Sequence, residues 1–472
     1  MTLRRTAVLN VVGLTDSLLG PATPRLSALR QKGRRALIRP VLPALTCSAQ
    51  ATYLTGTPPS AHGIVANGWY NRELAEVQFW KQSNHLVHGP KVWETLRECY
   101  PGFTCAKLFW WYNMYSSADW SMTPRPSYPA DGRKVFDIYT SPLPLRTEVK
   151  QSLGEFPFPT FWGPAAGVDT PQGRADAASR WIAGAARWTE ERYQPSLSLV
   201  YLPHLDYNLQ RLGPTDPRIH ADLAAIDAIA GELIDFFQSR NVTVLVLSEY
   251  GITPVEVPVH LNQLFRKHGW LTTKEELGLE LLDAGASRVF AVADHQIAHI
   301  YVNDPSLESR VREVVAREPG VAQVLGAKEK SEAGLAHARS GELIALAQEN
   351  AWFTYYYWDD ERRAPDFARC VDIHRKPGYD PVELFLDPAL AFPKLKIGWR
   401  LLRKKLGFRM LMDVIPLDAT LVKGSHGICP ASTKDYPILI SEDPELIPHD
   451  ILSATEVCGV IERCTKLKVE HS

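Results

Sequence analysis

One threonine of this chain is placed for chemistry on a phosphoryl group. Residues 43–56 read PALTCSAQATYLTG, and residues 60–70 read SAHGIVANGWY. The first motif predicts a helix that begins at Thr46, just after a strand, and the second predicts a turn that returns the amide of Asn67. Backbone N–H groups and the helix dipole favour an anion at a helix N-terminus. Thr46 is therefore a candidate nucleophile beside a candidate phosphate site.

Three apolar runs predict the sheet that positions this threonine. Residues 7–12, 196–202 and 242–247 are largely apolar on both faces, as parallel strands covered by helices should be. Helical patterns at 176–192 and 220–239 separate these runs. Strands that alternate with helices predict an α/β fold with a mostly parallel central sheet flanked by helices.

Polar side chains come directly after the predicted strands. Thr46 follows one strand, Asp206 follows the run 196–202, and Glu249 follows the run 242–247. In open α/β sheets, ligands bind beyond the carboxyl ends of the strands. A hydroxyl and two carboxylates at three strand ends therefore predict one shared site.

The length of 472 residues allows a large core with additional lobes. We expect a core made of residues 1–292 and 421–472. Residues 293–360 predict a small inserted α+β lobe that could cap the site, with strands at 298–302, 342–347 and 352–358 and a helix at 306–318. Residues 361–420, which are rich in proline and charge, form a second predicted insertion.

The two motifs around Thr46 resemble the nucleotide pyrophosphatase/phosphodiesterase branch of the alkaline phosphatase superfamily. That family has a proline, the nucleophilic threonine and a Thr-Gly pair, followed by HGI-x-x-N-G-aromatic-Tyr, as residues 43–70 have here. The RSGEL turn at 339–343 and GSHG at 424–427 extend the resemblance over nearly the whole chain. The resemblance implies an alkaline-phosphatase-like core, Thr46 as the nucleophile and Asn67 as a ligand of a phosphate oxygen.

The resemblance also implies a metal site, of which this chain keeps a part. Asp206 and His426 stand at ligand positions unchanged, and Glu249 replaces an aspartate. Carboxylate and imidazole ligands suit one or two divalent ions, and Zn²⁺, Mn²⁺ and Mg²⁺ stay open as their identity. An ion held by these three residues would stabilise the charge that develops on the phosphate.

Three other ligand positions have changed, to Thr15, Gln210 and Tyr250. Asp16 follows Thr15 directly and, like Gln210, is a weaker candidate ligand. The pair Asp372 and His374, just ahead of the closing GSHG, is the favoured replacement. Further carboxylates and imidazoles read first as hydrogen-bonded structural residues and second as ligands: His204, Asp294, His295, His299 and Asp380.

These residues predict a metal-assisted phosphoryl-transfer hydrolase that acts on a phosphodiester or phosphomonoester through Thr46. The alternative is a catalytically altered or non-catalytic family member that binds a phosphorylated metabolite or a partner protein. A third interpretation keeps an enzyme that transfers the phosphoryl group to an alcohol instead of water. The substrate class expected is a small phosphorylated molecule.

Composition limits the partners and the compartment. The net charge of −1 does not suggest a nucleic-acid partner. Seven cysteines without a CxxC pair favour reduced thiols and a cytoplasmic location, and we expect neither a signal peptide nor a membrane-spanning segment. Residues 394–409 carry seven basic side chains among apolar ones, so they could meet a membrane surface or an acidic partner. A solvated helix face with a buried stripe is the alternative.

Overall fold

Strands and helices alternate along the chain, as its apolar pattern predicts. The computed structural model describes residues 3–130, 133–171, 173–408 and 410–466. Its strands are β1 Thr6–Val11, β2 Arg34–Arg39, β3 Gly68–Asn71, β4 Glu76–Phe79, β5 Cys105–Leu108, β6 Trp120–Pro124, β7 Ile138–Ser141, β8 Leu197–Leu202, β9 Thr243–Leu247, β10 Thr253–Pro254, β11 Val257–Val259, β12 Thr273–Glu276, β13 Leu279–Leu282, β14 Val289–Asp294, β15 Ile297–Val302, β16 Val321–Leu325, β17 Leu343–Ala347, β18 Ala351–Phe353, β19 Gly424–Ser425, β20 Ile438–Ser441 and β21 Ile451–Ser453.

The helices include the two that the sequence predicts at 176–192 and 220–239. They are α1 Pro24–Lys32, α2 Thr46–Thr55, α3 Pro59–His62, α4 Val92–Cys99, α5 Leu145–Leu153, α6 Ala177–Tyr193, α7 His204–Leu212, α8 Ile219–Gln238, α9 Leu261–Lys267, α10 Glu308–Ala316, α11 Ala327–Glu332, α12 Pro393–Lys405 and α13 Glu456–Thr465. Within the described ranges, none of these helices is both long and apolar enough to cross a membrane.

Nine strands of the described chain form the central sheet, in the order β21-β2-β20-β9-β1-β8-β5-β6-β7. The strand β1 lies between β8 and β9 and runs parallel to both. The pairs β5–β8, β5–β6 and β2–β21 are also parallel, whereas β20 and β7 run antiparallel to their neighbours. Every residue of β1 is buried, because helices such as α6 and α8 cover the sheet. The prediction of an α/β fold with a mostly parallel sheet is confirmed.

A second, antiparallel sheet lies in the part of the chain where the small lobe is predicted. Its order is β14-β15-β17-β16, and its first strand begins at Val289, before residue 293. The predicted strand at 352–358 is wrong beyond Phe353, where β18 ends. The chain then turns into the apolar core, in which Tyr355 and Tyr357 are fully buried. The division of the chain at residues 293, 361 and 421 stays a prediction.

Candidate active site

Thr46 is the first residue of α2, as the motif predicts. The preceding residue, Leu45, is extended and caps the helix without a side-chain hydrogen bond. The first-turn N–H groups therefore depend on partners from other parts of the fold. One such partner is Asn67, whose side-chain oxygen accepts the N–H of Cys47 at 3.0 Å. Thr46 itself is buried, with 4% of its surface exposed.

A chain of hydrogen bonds joins the Thr46 hydroxyl to Asp206. The Thr46 Oγ1 and Tyr250 Oη atoms lie 3.1 Å apart, and Tyr250 donates to Asp206 Oδ1 at 3.1 Å. Because the single phenolic proton goes to Asp206, Tyr250 can only accept from Thr46, and the Glu249 carboxyl competes for the same Thr46 proton. Burial raises the pKa of the Asp206 carboxyl to about 7, against the lowering effect of hydrogen bonds from Tyr250 and Gln210. Asp206 thus has the pKa of a base that works near neutral pH.

Gln210 occupies the second oxygen of the same carboxylate. Its Nε2 donates to Asp206 Oδ2 at 2.9 Å, and its Oε1 accepts from Tyr379 at 2.8 Å. The residue lies one helical turn after Asp206 on α7, so both side chains share one face of that helix. Gln210 therefore orients Asp206 instead of binding a metal beside it.

Glu249 is surrounded by amides. Its Oε1 accepts from Asn10 Nδ2 and from Gln50 Nε2, each at 2.5 Å. Burial raises the pKa of the Glu249 carboxyl to about 8, although hydrogen bonds from Gln50, Asn10 and Thr46 lower it. The neutral acid is therefore the main form at pH 7. Gln50 is held in turn, because its Oε1 accepts the N–H of Trp111 at 2.7 Å.

The hairpin between β14 and β15 brings a carboxylate and an imidazole to Asn67. Asp294 accepts from the backbone N–H of Asn67 at 2.8 Å and from its Nδ2 at 3.1 Å. His295 Nδ1 lies 2.8 Å from Asp294 Oδ1. Burial raises the pKa of Asp294 to about 7. Asn67 therefore links the start of α2 to this hairpin, and its amide protons point to a carboxylate.

His426 stands in a stack of rings at the centre of the cluster. Its ring lies parallel to that of Tyr250, with centroids 3.5 Å apart, and the His295 ring is 3.9 Å away. His295 also stacks on Tyr379 at 3.6 Å. His426 Nδ1 donates to the carbonyl of Ala44 at 2.7 Å. Burial lowers the pKa of both imidazoles, so both are neutral.

Three candidate metal ligands from the sequence lie outside the cluster around Thr46. Asp16 pairs with Arg30 and Arg35, with N–O distances of 3.3 and 3.1 Å, so its carboxylate is not part of the cluster. His374 Nδ1 donates to the carbonyl of a β4 residue at 3.2 Å, and the Asp372 carboxylate lies 3.8 Å from Arg375. The favoured replacement pair is therefore not joined to Thr46.

Of the remaining candidates, His299 and Asp380 have the hydrogen-bonded structural roles that were read first. His204 Nε2 lies 3.0 Å from an Asp222 oxygen, and His299 donates to the carbonyl of Val65 at 3.1 Å. Asp380 pairs with the buried Lys376 at 2.7 Å. The exception is Asp294 with His295, which sequence reasoning ranked below Asp372 and His374. Their signal was a carboxylate and an imidazole directly after an apolar strand.

The residues present fit only in part the divalent ions that the resemblance implies. In the described part of the chain, no group of three or more His, Cys, Asp or Glu side chains is arranged to hold a metal. Phenol and amide donors occupy both oxygens of Asp206 and one oxygen of Glu249. The ring of Tyr250 covers one face of His426. A donor repels a cation, so this arrangement opposes metal binding by Asp206, whereas Glu249 Oε2 and His426 Nε2 are buried without a hydrogen-bond partner among the described residues.

Residues 6–380 match the family described as type I phosphodiesterase/nucleotide pyrophosphatase. An uncharacterised pyrophosphatase/phosphodiesterase of Schizosaccharomyces pombe is 24% identical over 244 residues, which are 51% of this chain and 42% of that protein. The match thus spans less than half the length of this curated relative.

Two solved structures share the fold over almost their full length. Phosphonoacetate hydrolase from Sinorhizobium meliloti 1021, in complex with phosphonoformate, superimposes with a TM-score of 0.59 at 14% identity, covering 98% of this chain and 95% of the other. Murine ectonucleotide pyrophosphatase/phosphodiesterase 5, in complex with AMP, gives a TM-score of 0.57 at 13% identity, covering 99% and 97%.

Proposed function

Because the chain belongs to the type I phosphodiesterase/nucleotide pyrophosphatase family, we propose that it hydrolyses a phosphoric ester with Thr46 as the nucleophile. The observation that carries the proposal is the hydrogen-bonded path from Thr46 through Tyr250 to Asp206. It supplies a base to a hydroxyl that stands at a helix N-terminus. The substrate class is a small phosphodiester or phosphomonoester.

The first step forms a phosphothreonine. Thr46 Oγ1 attacks phosphorus, the bond from phosphorus to the leaving oxygen breaks, and the leaving group departs as an alkoxide or aryloxide that takes a proton from solvent. The Thr46 proton passes to Tyr250, whose own proton passes to Asp206. In the second step water attacks phosphorus, the Thr46–phosphorus bond breaks, and Thr46 recovers its proton by the same path. The proton of the attacking water leaves with the phosphate product.

Members of this family typically depend on divalent metals. We propose that this chain differs, because hydrogen-bond donors meet three of the four oxygens of Asp206 and Glu249 that would bind Zn²⁺, Mn²⁺ or Mg²⁺. In this proposal Tyr250 and Gln210 do part of the work of a metal by holding and orienting Asp206. Purified protein should then contain less than one equivalent of metal, and a chelator should leave its activity unchanged. Stoichiometric metal that is lost in Asp206→Asn would contradict this.

The test of the nucleophile uses an activated aryl phosphodiester as substrate. We expect turnover by the wild type, partial turnover by Thr46→Ser and none above background by Thr46→Ala. Acid quenching during turnover should trap a phosphoryl adduct on the peptide that contains Thr46, identified by mass spectrometry. Full activity of Thr46→Ala would remove Thr46 from the mechanism.

The alternative of a non-catalytic binding protein has one observation in its favour. Thr46, Asn67, Asp206, Glu249 and His426 are all buried, and bonds among the site residues close the network. A substrate can enter only if this network opens. Saturable AMP binding by calorimetry, without turnover of AMP or of aryl diesters, would support that function over catalysis.

We also propose a cytoplasmic location and a surface partner at residues 394–409. All seven cysteines, which lie in the described ranges, carry free thiols, as is usual in a reducing compartment. Thiol labelling of the protein in intact cells, compared with labelling after reduction, measures this directly. Thiols that become reactive only after reduction would contradict the location.

A further inference from the structure

The helix α12 exposes a row of large apolar side chains. Leu395 is 70% exposed, Trp399 59%, Leu402 47% and Leu406 63%, and no residue of the helix is buried. The spacings of four, three and four residues place these side chains on one face of the helix. Phe392 precedes the helix with 71% exposure and Phe408 follows it with 59%. This row is therefore not the buried apolar stripe of the sequence alternative.

The opposite face holds the helix against the body of the protein. Ile397 packs against the apolar cluster that includes Val414 and Ile415. Lys396 and Arg400 both pair with Asp413, at 3.1 and 2.9 Å, and Lys396 also donates to its carbonyl at 2.6 Å. These contacts fix the rotation of α12, so the apolar row points away from the protein.

The segment around the apolar row is strongly basic. Between Asp387 and Asp413 the sequence has no acidic residue, and it has seven basic residues in a chain of net charge −1. At 100° per residue, Arg403 lies on one side of the apolar row, and Lys394 and Lys405 lie on the other. Long basic side chains in such flanking positions can extend to phosphate groups while their methylene stems stay on the apolar surface.

We propose that α12 binds the surface of an anionic phospholipid bilayer, with its axis in the plane of the headgroups. The leucines and the aromatic residues would enter the acyl boundary, and the flanking cations would meet lipid phosphates and serine carboxylates. A single convex helix face with this charge fits a fluid surface, which needs no shape complementarity. An acidic protein partner would need a matching groove, and nothing in the exposed row shapes one. The proposal does not depend on the activity of Thr46.

The test is vesicle co-sedimentation of the full chain with phosphatidylcholine alone and with phosphatidylcholine containing 30% phosphatidylserine. We expect at least tenfold tighter binding to the anionic vesicles, weakened by 0.5 M salt. The double variant Leu395→Glu/Trp399→Glu should lose binding at least tenfold. Leu277→Glu is the matched control, because Leu277 is a fully exposed leucine between β12 and β13, and it should bind like the wild type.

Three results would overturn the proposal. They are equal binding to both vesicle types, unchanged binding of the double variant, and equal loss of binding in Leu277→Glu. A concentration-dependent dimer that Leu395→Glu/Trp399→Glu abolishes, without any vesicle binding, would assign the face to a second copy of the chain. Unchanged thermal unfolding midpoints of Leu395→Glu/Trp399→Glu and Leu277→Glu would exclude misfolding. A further variant, Arg403→Glu/Lys405→Glu, keeps the apolar row and should reduce binding only to the anionic vesicles.

Discussion

Asp206 and Glu249 invite comparison, because they follow the two strands that flank β1. Both are buried, and burial raises the pKa of one carboxyl to about 7 and of the other to about 8. They differ in their donors. Asp206 receives a phenol that also contacts Thr46, whereas Glu249 receives the amides of Asn10 and Gln50 and a weaker hydrogen bond from Thr46. Because the higher pKa leaves Glu249 mostly neutral at pH 7 while a phenol can pass a proton on to Asp206, we propose Asp206 as the base and Glu249 as a structural acid.

The largest expected effect follows from removing the base. Asp206→Asn keeps the shape of the side chain and its contact with Tyr250, but it cannot accept a proton. We expect kcat to fall by about 10²–10⁴-fold, the usual contribution of general acid–base catalysis. Steady-state kinetics with an aryl phosphodiester measures the loss.

Thermal unfolding of Asp206→Asn provides the control. An unchanged or higher midpoint with lost activity assigns the loss to chemistry, since the variant removes a buried carboxyl whose ionisation opposes folding. Activity within threefold of wild type would show that Asp206 is not the base and would end the distinction between the two carboxylates.

Tyr250→Phe tests the path between Thr46 and Asp206. The variant keeps the ring stacked on His426 and removes the hydroxyl that joins the two residues. Loss of a hydrogen bond to a charged group costs about 1.5–3 kcal/mol, so we expect kcat to fall about ten- to a hundredfold. An equal loss in Tyr250→Phe/Asp206→Asn and in Asp206→Asn alone would show that both act in one path, whereas additive losses would contradict it.

The sequence placed Thr46, Asp206 and Glu249 in one site because helix starts and strand ends are local signals. The donors to those groups could not be predicted in the same way. Asn10 is a polar residue inside an apolar strand, and nothing local shows that it points to Glu249. The contact of Asp294 with Asn67 joins residues 227 positions apart, so it depends on how β14 packs against the hairpin of β3 and β4.

The changed ligand positions also show that the sequence does not predict which groups the side chains contact. Gln210 and Tyr250 read as lost metal ligands, because a family pattern predicts which residues are missing and not what the new ones bind. In the structure both donate to Asp206. Asp372 and His374 looked like a replacement on spacing alone, but His374 is held by a carbonyl of β4.

The pH dependence of activity distinguishes the two carboxylates without mutation. If Asp206 is the base, its carboxylate form is required, so kcat/KM should rise tenfold per unit up to about pH 7 and level off above it. If Glu249 were the base instead, the same rise should continue to about pH 8. A profile that stays flat from pH 5 to 8 would contradict a role for either group as base.

The smallest effect on activity is expected for Glu249→Gln. The protonated acid is already the main form at pH 7, so an amide of the same shape should change kcat by less than threefold.

The free energy of unfolding should respond to Glu249→Gln more clearly than kcat does. Between about pH 4.5 and 8 the unfolded chain ionises this residue and the folded chain does not, so its contribution to the free energy of unfolding falls as pH rises. Because glutamine cannot ionise, the unfolding midpoint of the variant relative to wild type should increase from pH 5 to pH 8. A constant difference across that range would mean that Glu249 titrates normally in the folded protein, and the contrast with Asp206 would then have to rest on geometry alone.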